Sequence, residues 1–457
     1  MRRGKAGAEK QDQTQALGSA KIPALILRFS ATTLAALVLN SVYTLTDALF
    51  VSWGVGDHAM GGVSVVFPFT ILQGAISTAV GGGAASIISR KLGAQKQEEA
   101  GEVTLNAMLV FYLSAVAITI AGFLLMDPLL SAMGVTDELY PYAREYFAIL
   151  LAGNVFSTGF SSIIRAEGRM LYSLLIWVIP ISINILLDAV FILALGWGVK
   201  GSALATVACQ FVSFSMSVLF FLRFTAQRFR GARPSLKRAG EILAIGIPSL
   251  VQMGSLSVTS ALLNNALGSV SGAMGVTAFG YITRLFTLGT APFTAVAQAL
   301  APVAGYNYGA GKLRRVRETL RFSCIICALY AGAAFLLAEG VPGLLMRIFT
   351  QDAQLIAFGA NAIRRTAAAF LFAPFPMLAG ALFQAVGQKL RALLMYAANL
   401  LFLLPLSRVL PELFGVNGIW AAYVGANAAA AGLTLLLLLL DGCKRKKLGP
   451  AAPGIHG

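Results

Sequence analysis

Ser89-Arg90-Lys91-Leu92-Gly93-Ala94-Gln95-Lys96 closes one long apolar stretch, and Gly305-Tyr306-Asn307-Tyr308-Gly309-Ala310-Gly311-Lys312 closes another. Gly93, Ala94 and Lys96 match Gly309, Ala310 and Lys312 at a constant offset of 216. Two more echoes keep the same order. Arg165-Ala166-Glu167-Gly168 pairs with Gln384-Ala385-Val386-Gly387 at an offset of 219, and Gly198-Val199-Lys200-Gly201 with Gly415-Val416-Asn417-Gly418 at 217. Ordered echoes at nearly one offset are the signature of a duplicated unit.

The medium of that unit follows from composition. Of 457 residues 57% are hydrophobic and 12% charged, with a mean hydropathy of +0.77, too little charge to cover a surface facing water. Apolar runs long enough for a hydrocarbon core of roughly 30 Å recur throughout. They place spans at 22–52, 59–88, 104–125, 141–164, 172–195, 201–222, 241–267, 276–303, 320–340, 358–383, 391–410 and 417–440. The net charge of +16 belongs to topology rather than to nucleic-acid binding. Of 35 Lys and Arg, 28 lie in the N-terminal region from Arg2 to Arg28, the C-terminal tail and alternate loops, at 89–102, 165–169, 223–240, 312–321 and 389–391. By the positive-inside rule those loops and both termini are cytoplasmic, on an inner-membrane protein with an even number of spans.

The sequence thus predicts an all-α polytopic membrane protein, twelve transmembrane helices in two pseudo-symmetric six-helix lobes. The predicted boundaries are a cytoplasmic tail at 1–21, a first lobe at 22–222, a basic connector at 223–240, a second lobe at 241–440 and a basic tail at 441–457. Residues 1–20 read as disordered. Six spans per lobe give both lobes one orientation, the parallel repeat of many secondary transporters, which work by alternating access. Other classes find no support. There is no GxxxxGK[ST] phosphate loop, no nucleophile set, and no metal constellation around His58 and His456. Cys324 and Cys327 form a CxxC inside an apolar span and read as packing residues. Gly81–Ser86 reads as a close helix-packing patch.

Of nineteen Asp and Glu, Asp47 and Asp188 fall well inside spans. Carboxylates there are expensive and face a wet cavity or a partner. Asp47 lies roughly 9 Å and Asp188 roughly 12 Å in from the outer ends of spans 1 and 5, at 1.5 Å per residue. Asn184 is one turn from Asp188, Thr206 reaches a similar level on span 6, and Asn40, Tyr43, Thr44 and Asp47 share a face. If spans 1, 5 and 6 are neighbours, these residues form one polar cluster able to bind and release a proton, or to offer oxygen ligands to Na⁺. The second lobe has Gln252, Asn264, Asn265 and Arg284 but no mid-span acid, so coupling is expected in the first. Arg284 is expected to bond a helix-end carbonyl, with an anion or lipid phosphate as the alternative.

With its duplicated six-span unit, Tyr43-Thr44-Leu45-Thr46-Asp47, Arg165-Ala166-Glu167-Gly168, Asn184-Ile185-Leu186-Leu187-Asp188 and Gly198 to Thr206, the chain resembles the multidrug and toxic compound extrusion (MATE) family over about residues 22–440. The resemblance implies an antiporter, not an enzyme, exporting small amphipathic, often cationic, organic compounds in exchange for H⁺ or Na⁺. It implies cation coupling at Asp47, Asn184, Asp188 and Thr206 and substrate contacts at Asn40, Tyr43 and Gln210. The expected protein is a monomer in the bilayer without a cofactor. Some members carry a Glu on span 7 and an Asp on span 10; here Gln252 stands at the first position and span 10 has no acid. A flippase for lipid-linked saccharides is the alternative on a related fold. A membrane enzyme would need a catalytic set that is missing, and a scaffold would leave Asp47 and Asp188 unused.

Overall fold

The structure, a computed structural model, describes residues 14–133, 135, 137–156, 160–229 and 231–447. Residues 1–13, the tail beyond 447 with His456, and the side chains of Thr44 and His58 lie outside the described residues. Among those described there is no strand. The first six spans are α1 (Ile22–Gly54), α2 (Asp57–Gly93), α3 (Gln97–Leu124), α4 (Tyr140–Gly153, continued by Phe160–Ala166), α5 (Met170–Asp188) and α6 (Gly198–Arg223). Next comes α7 (Leu236–Gly309), opened by Ser235, whose hydroxyl accepts from the Arg238 N–H. Straight, its 74 residues would reach about 110 Å. It doubles back instead. A Cβ on Gly275 would lie 3.2 Å from the Leu267 oxygen, eight residues earlier and about 12 Å away in a straight helix. Its two limbs are therefore spans seven and eight. Span nine is α8 (Leu313–Gly340), span ten is broken into Ala353–Ala367, Ala369–Phe372 and Pro374–Ala385, and Lys389–Phe414 and Val416–Lys447 complete twelve.

The duplication is visible in the backbone. Gln97–Leu124 and Leu313–Gly340 start and stop 216 residues apart. Each sequence echo carries a left-handed residue at its matching position: Gln95 (φ 63°) and Gly311 (φ 73°), Gly168 (81°) and Gly387 (85°), Gly198 (59°) and Gly415 (56°). A left-handed residue ends a helix by turning the chain while its last carbonyls are satisfied, so the echoes mark the turns that set each repeat's geometry.

The chain divides into two compact units. The first comprises Met1–Leu250, Gln298–Thr319 and Gln384–Lys389, the second Val251–Ala297, Leu320–Phe383 and Leu390–Gly457. The first unit's core gathers Val51, Val66, Phe147, Leu151, Ile192 and Ala203, with Phe69 and Phe147 edge-to-face at 4.8 Å. In the second, Leu263, Leu267, Ile282, Met346, Leu403 and Trp420 play that part. At the basic-loop end of the first unit the glycines of the opening motif permit backbone contact. A Cβ on Gly93 would meet the Tyr306 oxygen at 1.9 Å, and one on Gly309 the Arg90 oxygen at 1.9 Å. Arg90 and Tyr306 are themselves repeat partners, so the equivalent helix ends cross reciprocally. The Gly81–Ser86 patch behaves likewise, with a Gly83 Cβ 2.1 Å from the Ile242 oxygen.

One expectation is corrected at this end. Residues 1–20 were read as disordered, yet 14–19 are helical and Leu17 is fully buried. The segment's terminal carbonyls are met by cationic and amide donors: Asn307 Nδ2 to Leu17 O at 2.8 Å, Lys312 Nζ to Gly18 O at 2.9 Å, Arg315 Nη2 to Ala20 O at 2.7 Å. Thr14 Oγ1 donates to Glu167 O at 3.0 Å. Its polar composition concealed this, because the partners lie some 150 to 290 residues away.

Glu167 is fully buried and anchors the connector. It accepts from Thr225 Oγ1 at 2.5 Å, the Ala226 N–H at 2.8 Å and Gln227 Nε2 at 2.7 Å. Glu167→Ala would strand those donors, at about 1–3 kcal/mol for each left unsatisfied, and a thermal melt of the purified protein should shift down by several degrees. Burial raises the Glu167 carboxyl above its ordinary 4.5, against the opposing pull of those hydrogen bonds. A carboxyl raised in the folded state stabilises most below 4.5 and loses that contribution as pH climbs through the folded value. The wild type should therefore lose stability on raising pH across that window, and Glu167→Gln should lose less; equal slopes would refute the assignment.

Candidate functional site

The neighbour relation that the sequence left conditional holds, since α1 packs on α5 and on α6, and α5 on α6. Small residues allow it. A Cβ on Gly54 would come within 2.4 Å of Ile192, and one on Gly201 within 3.0 Å of Phe191. Pro180 sits inside α5, and immediately after Asp188 the helix widens into a π turn, Ala189–Ala194. Such widened turns within helices are frequent at functional sites. Here it directly follows the acid.

Asp47 lies seven residues before the end of α1, about 10 Å in. Its carboxylate accepts from Ser202 Oγ at 3.1 Å and has the Asp188 carboxyl as an electrostatic neighbour. Asp188 and Asn184 are 1% and 0% exposed. Both Asp188 oxygens, both Asn184 side-chain polar atoms, Thr206 Oγ1 and Gln210 Oε1 are buried without a hydrogen-bond partner. Buried polar atoms are ordinarily paired, so a group of orphans around two acids marks a place built for something that comes and goes. The structure thus brings Asp47, Asn184, Asp188 and Thr206 into one cluster. Tyr43 reaches it, beside Asp47 and Thr206. Asn40 lies two turns before Asp47 on α1, half-buried, and Gln210 is one turn beyond Thr206 on α6.

Two residues of this cluster escaped the sequence reading. Ser202 sits one turn before Thr206 in Gly201-Ser202-Ala203-Leu204-Ala205-Thr206, a spacing that could have revealed it. Tyr146, 6% exposed, is a neighbour of Asp47, Asp188, Ser202 and Thr206. As one of twelve tyrosines, directly after Arg144 and Glu145 at the polar start of its span, it gave no local signal. Arg284 departs from expectation: it makes no hydrogen bond with a helix-end carbonyl or any other described residue, and its side chain is exposed. Cys324 and Cys327 carry free thiols, as packing residues would.

The family model described as MatE matches residues 33–190 and 248–409. The chain belongs to the MatE family. Among its relatives, Multidrug export protein MepA of Staphylococcus haemolyticus is 23% identical over 419 residues, 89% of this chain and 91% of that protein. The Staphylococcus aureus protein of the same name (strain NCTC 8325) is 22% identical over 426 residues, 91% of this chain and 93% of its own. A MATE crystal structure in the bent conformation matches with a TM-score of 0.88 at 25% identity, over 95% of this chain and 98% of that one. A MOP superfamily transporter from Pyrococcus furiosus, described as having a binding pocket of reverse polarity, matches at 0.86 and 25% identity, over 94% and 98%. As a MatE protein the chain is a multi-pass membrane transport protein and not an enzyme.

Proposed function

We propose that this protein exports amphipathic organic compounds, cationic ones among them, across the inner membrane in exchange for H⁺ or Na⁺. The observation that carries the reading is the set of orphaned buried polar atoms around Asp47 and Asp188. A Na⁺ bound there draws on the Asp188 oxygens, Asn184 Oδ1 and Thr206 Oγ1, and an H⁺ neutralises the carboxylate; release of either leaves the buried charge bare, so loading and unloading have large and opposite energetic consequences. That differential is what drives alternating access. The relatives named for multidrug export support the cargo. The charge distribution supports cytoplasmic termini and basic loops.

The test is accumulation of the cationic dye rhodamine 123 in cells expressing the protein. Wild type should lower accumulation. A protonophore that restores accumulation, with no effect of removing Na⁺, assigns H⁺; the converse assigns Na⁺. Efflux indifferent to both ions would reject antiport, and failure to move any cationic dye would reject the cargo.

A further inference from the structure

Residues 14–20 precede α1 and the connector at 223–240 precedes α7, so the two hold equivalent places in the duplicated unit. Each docks on the other repeat. The connector meets the start of α3, where the Arg228 N–H donates to Gln97 O at 3.2 Å and Asn106 bonds Arg233 O at 3.0 Å and the Ser235 N–H at 2.6 Å. Residues 14–20 meet the end of α7 and the start of α8, the repeat partner of α3, through Asn307, Lys312 and Arg315. All these contacts lie within the first compact unit. The connector is covalently joined to both repeats. Residues 14–20 are joined in sequence to the first alone, and hold the second by bonds that can break.

The loops that receive them differ in charge. In the first repeat Lys91 and Lys96 both pair with Glu99, Lys96 at 2.7 Å. At an offset of 216 the second repeat has Asn307, Lys312 and Arg315, with an arginine where the first has its acid. These donors turn instead to the main-chain carbonyls of Leu17, Gly18 and Ala20. Arg315 Nε also holds Asn307 Oδ1 at 2.9 Å, which aims the amide at Leu17. Cations suit the carbonyl end of a helical segment. Leu17 is fully buried, and Gly18 packs so close to Tyr306 that a Cβ would lie 2.7 Å from its ring.

The segment is therefore a bridge. Thr14 ties it to Glu167 O in the first repeat, while Tyr306, against which Gly18 packs, is the residue whose backbone meets Gly93 at the crossing. Alternating access requires the two repeats to part at this end when the cavity faces the cytoplasm. They cannot part there with the segment bound to both. Ala20 and Lys21 interrupt the helix between it and α1, a hinge on which it can swing clear. We propose that residues 14–20 are a releasable strap, docked while the cytoplasmic side is shut and undocked when it opens. The proposal rests on the export reading and adds the element that sets how readily that side opens.

The test is double electron–electron resonance on the full-length protein in nanodiscs, with the four native cysteines replaced by serine. Nitroxides at Glu98→Cys and Arg317→Cys, both exposed positions, read the separation of the repeats. Nitroxides at Gln15→Cys, also exposed, and Arg317→Cys read docking of the strap. With the wild-type strap the short distance should dominate for both pairs. Arg315→Gln and Leu17→Ala should each raise the ratio of long to short distances about tenfold or more, the loss of one charge-assisted hydrogen bond or one buried leucine. The two pairs should lengthen together. Arg315→Lys, which keeps a cationic donor, should stay within about threefold of wild type on the same scale. Unchanged distances in both Arg315→Gln and Leu17→Ala overturn the proposal, even if the variants melt earlier, because a merely structural anchor does that. Repeats that separate while the strap stays docked overturn it too. Since distances are read without cargo, a failed efflux assay would sink the export reading separately.

Discussion

Asp188→Asn is expected to reduce dye efflux to about a tenth of wild type or less, the loss that follows when a coupling free energy of about 1–3 kcal/mol is removed. Asparagine is nearly isosteric, so packing against Asn184 and the π turn should survive. What disappears is the negative charge that a cation must balance. Both carboxylate oxygens are buried and unpartnered, and the amide replaces one of them with a donor. Asp47→Asn should show the same loss. Its oxygen already holds Ser202, so this variant also breaks an internal bond, and Ser202→Ala separates that contribution. Surface expression near wild type in all three, with efflux lost in the Asn pair and only lowered in Ser202→Ala, is the expected pattern. Normal efflux by Asp188→Asn would remove the cluster from the mechanism.

Gly309→Ala should be among the most destructive small substitutions at the described glycines. The added Cβ would sit 1.9 Å from a backbone oxygen, that of Arg90, and no rotamer change can relieve a clash with main chain. Gly93→Ala repeats the experiment from the other repeat, 1.9 Å from the Tyr306 oxygen. The crossing must open by more than an ångström in either case, at a cost of more than about 3 kcal/mol, beyond ordinary overpacking. Fluorescence-detected size exclusion after heating should find little folded protein for both. Gly332→Ala is the control, since nothing lies within 4 Å of its Cβ. Wild-type melting of Gly309→Ala would show that the crossing is looser than described.

The fold was largely legible because hydrophobic length and charge asymmetry are local properties that the bilayer enforces. The echoes at 93 and 309, 168 and 387, and 198 and 415 turned out to carry left-handed turns, a backbone demand that leaves a trace in sequence. The acids at 47 and 188 were legible for a related reason: in lipid, a carboxylate stands out against its surroundings. Ser202, Tyr146 and Glu167 were not. Each is identified by what faces it across the fold, and Glu167 was noticed only as part of a repeat although it holds the connector at Thr225 to Gln227. The segment from Thr14 to Ala20 was misjudged because its backbone carbonyls are anchored by donors at the distant end of α7 and start of α8. Arg284 was assigned a helix-end carbonyl that it does not meet.

The central claim is that Asp47 and Asp188 carry the cation exchanged for cargo. Its most direct measurement is ion movement in proteoliposomes loaded with a pH-sensitive or Na⁺-sensitive dye, on addition of rhodamine 123 under no other gradient. Wild type should move H⁺ or Na⁺ opposite to the cargo, and Asp188→Asn should move neither ion in response. Undiminished counterflow in Asp188→Asn would place the exchange elsewhere in the protein and contradict the account.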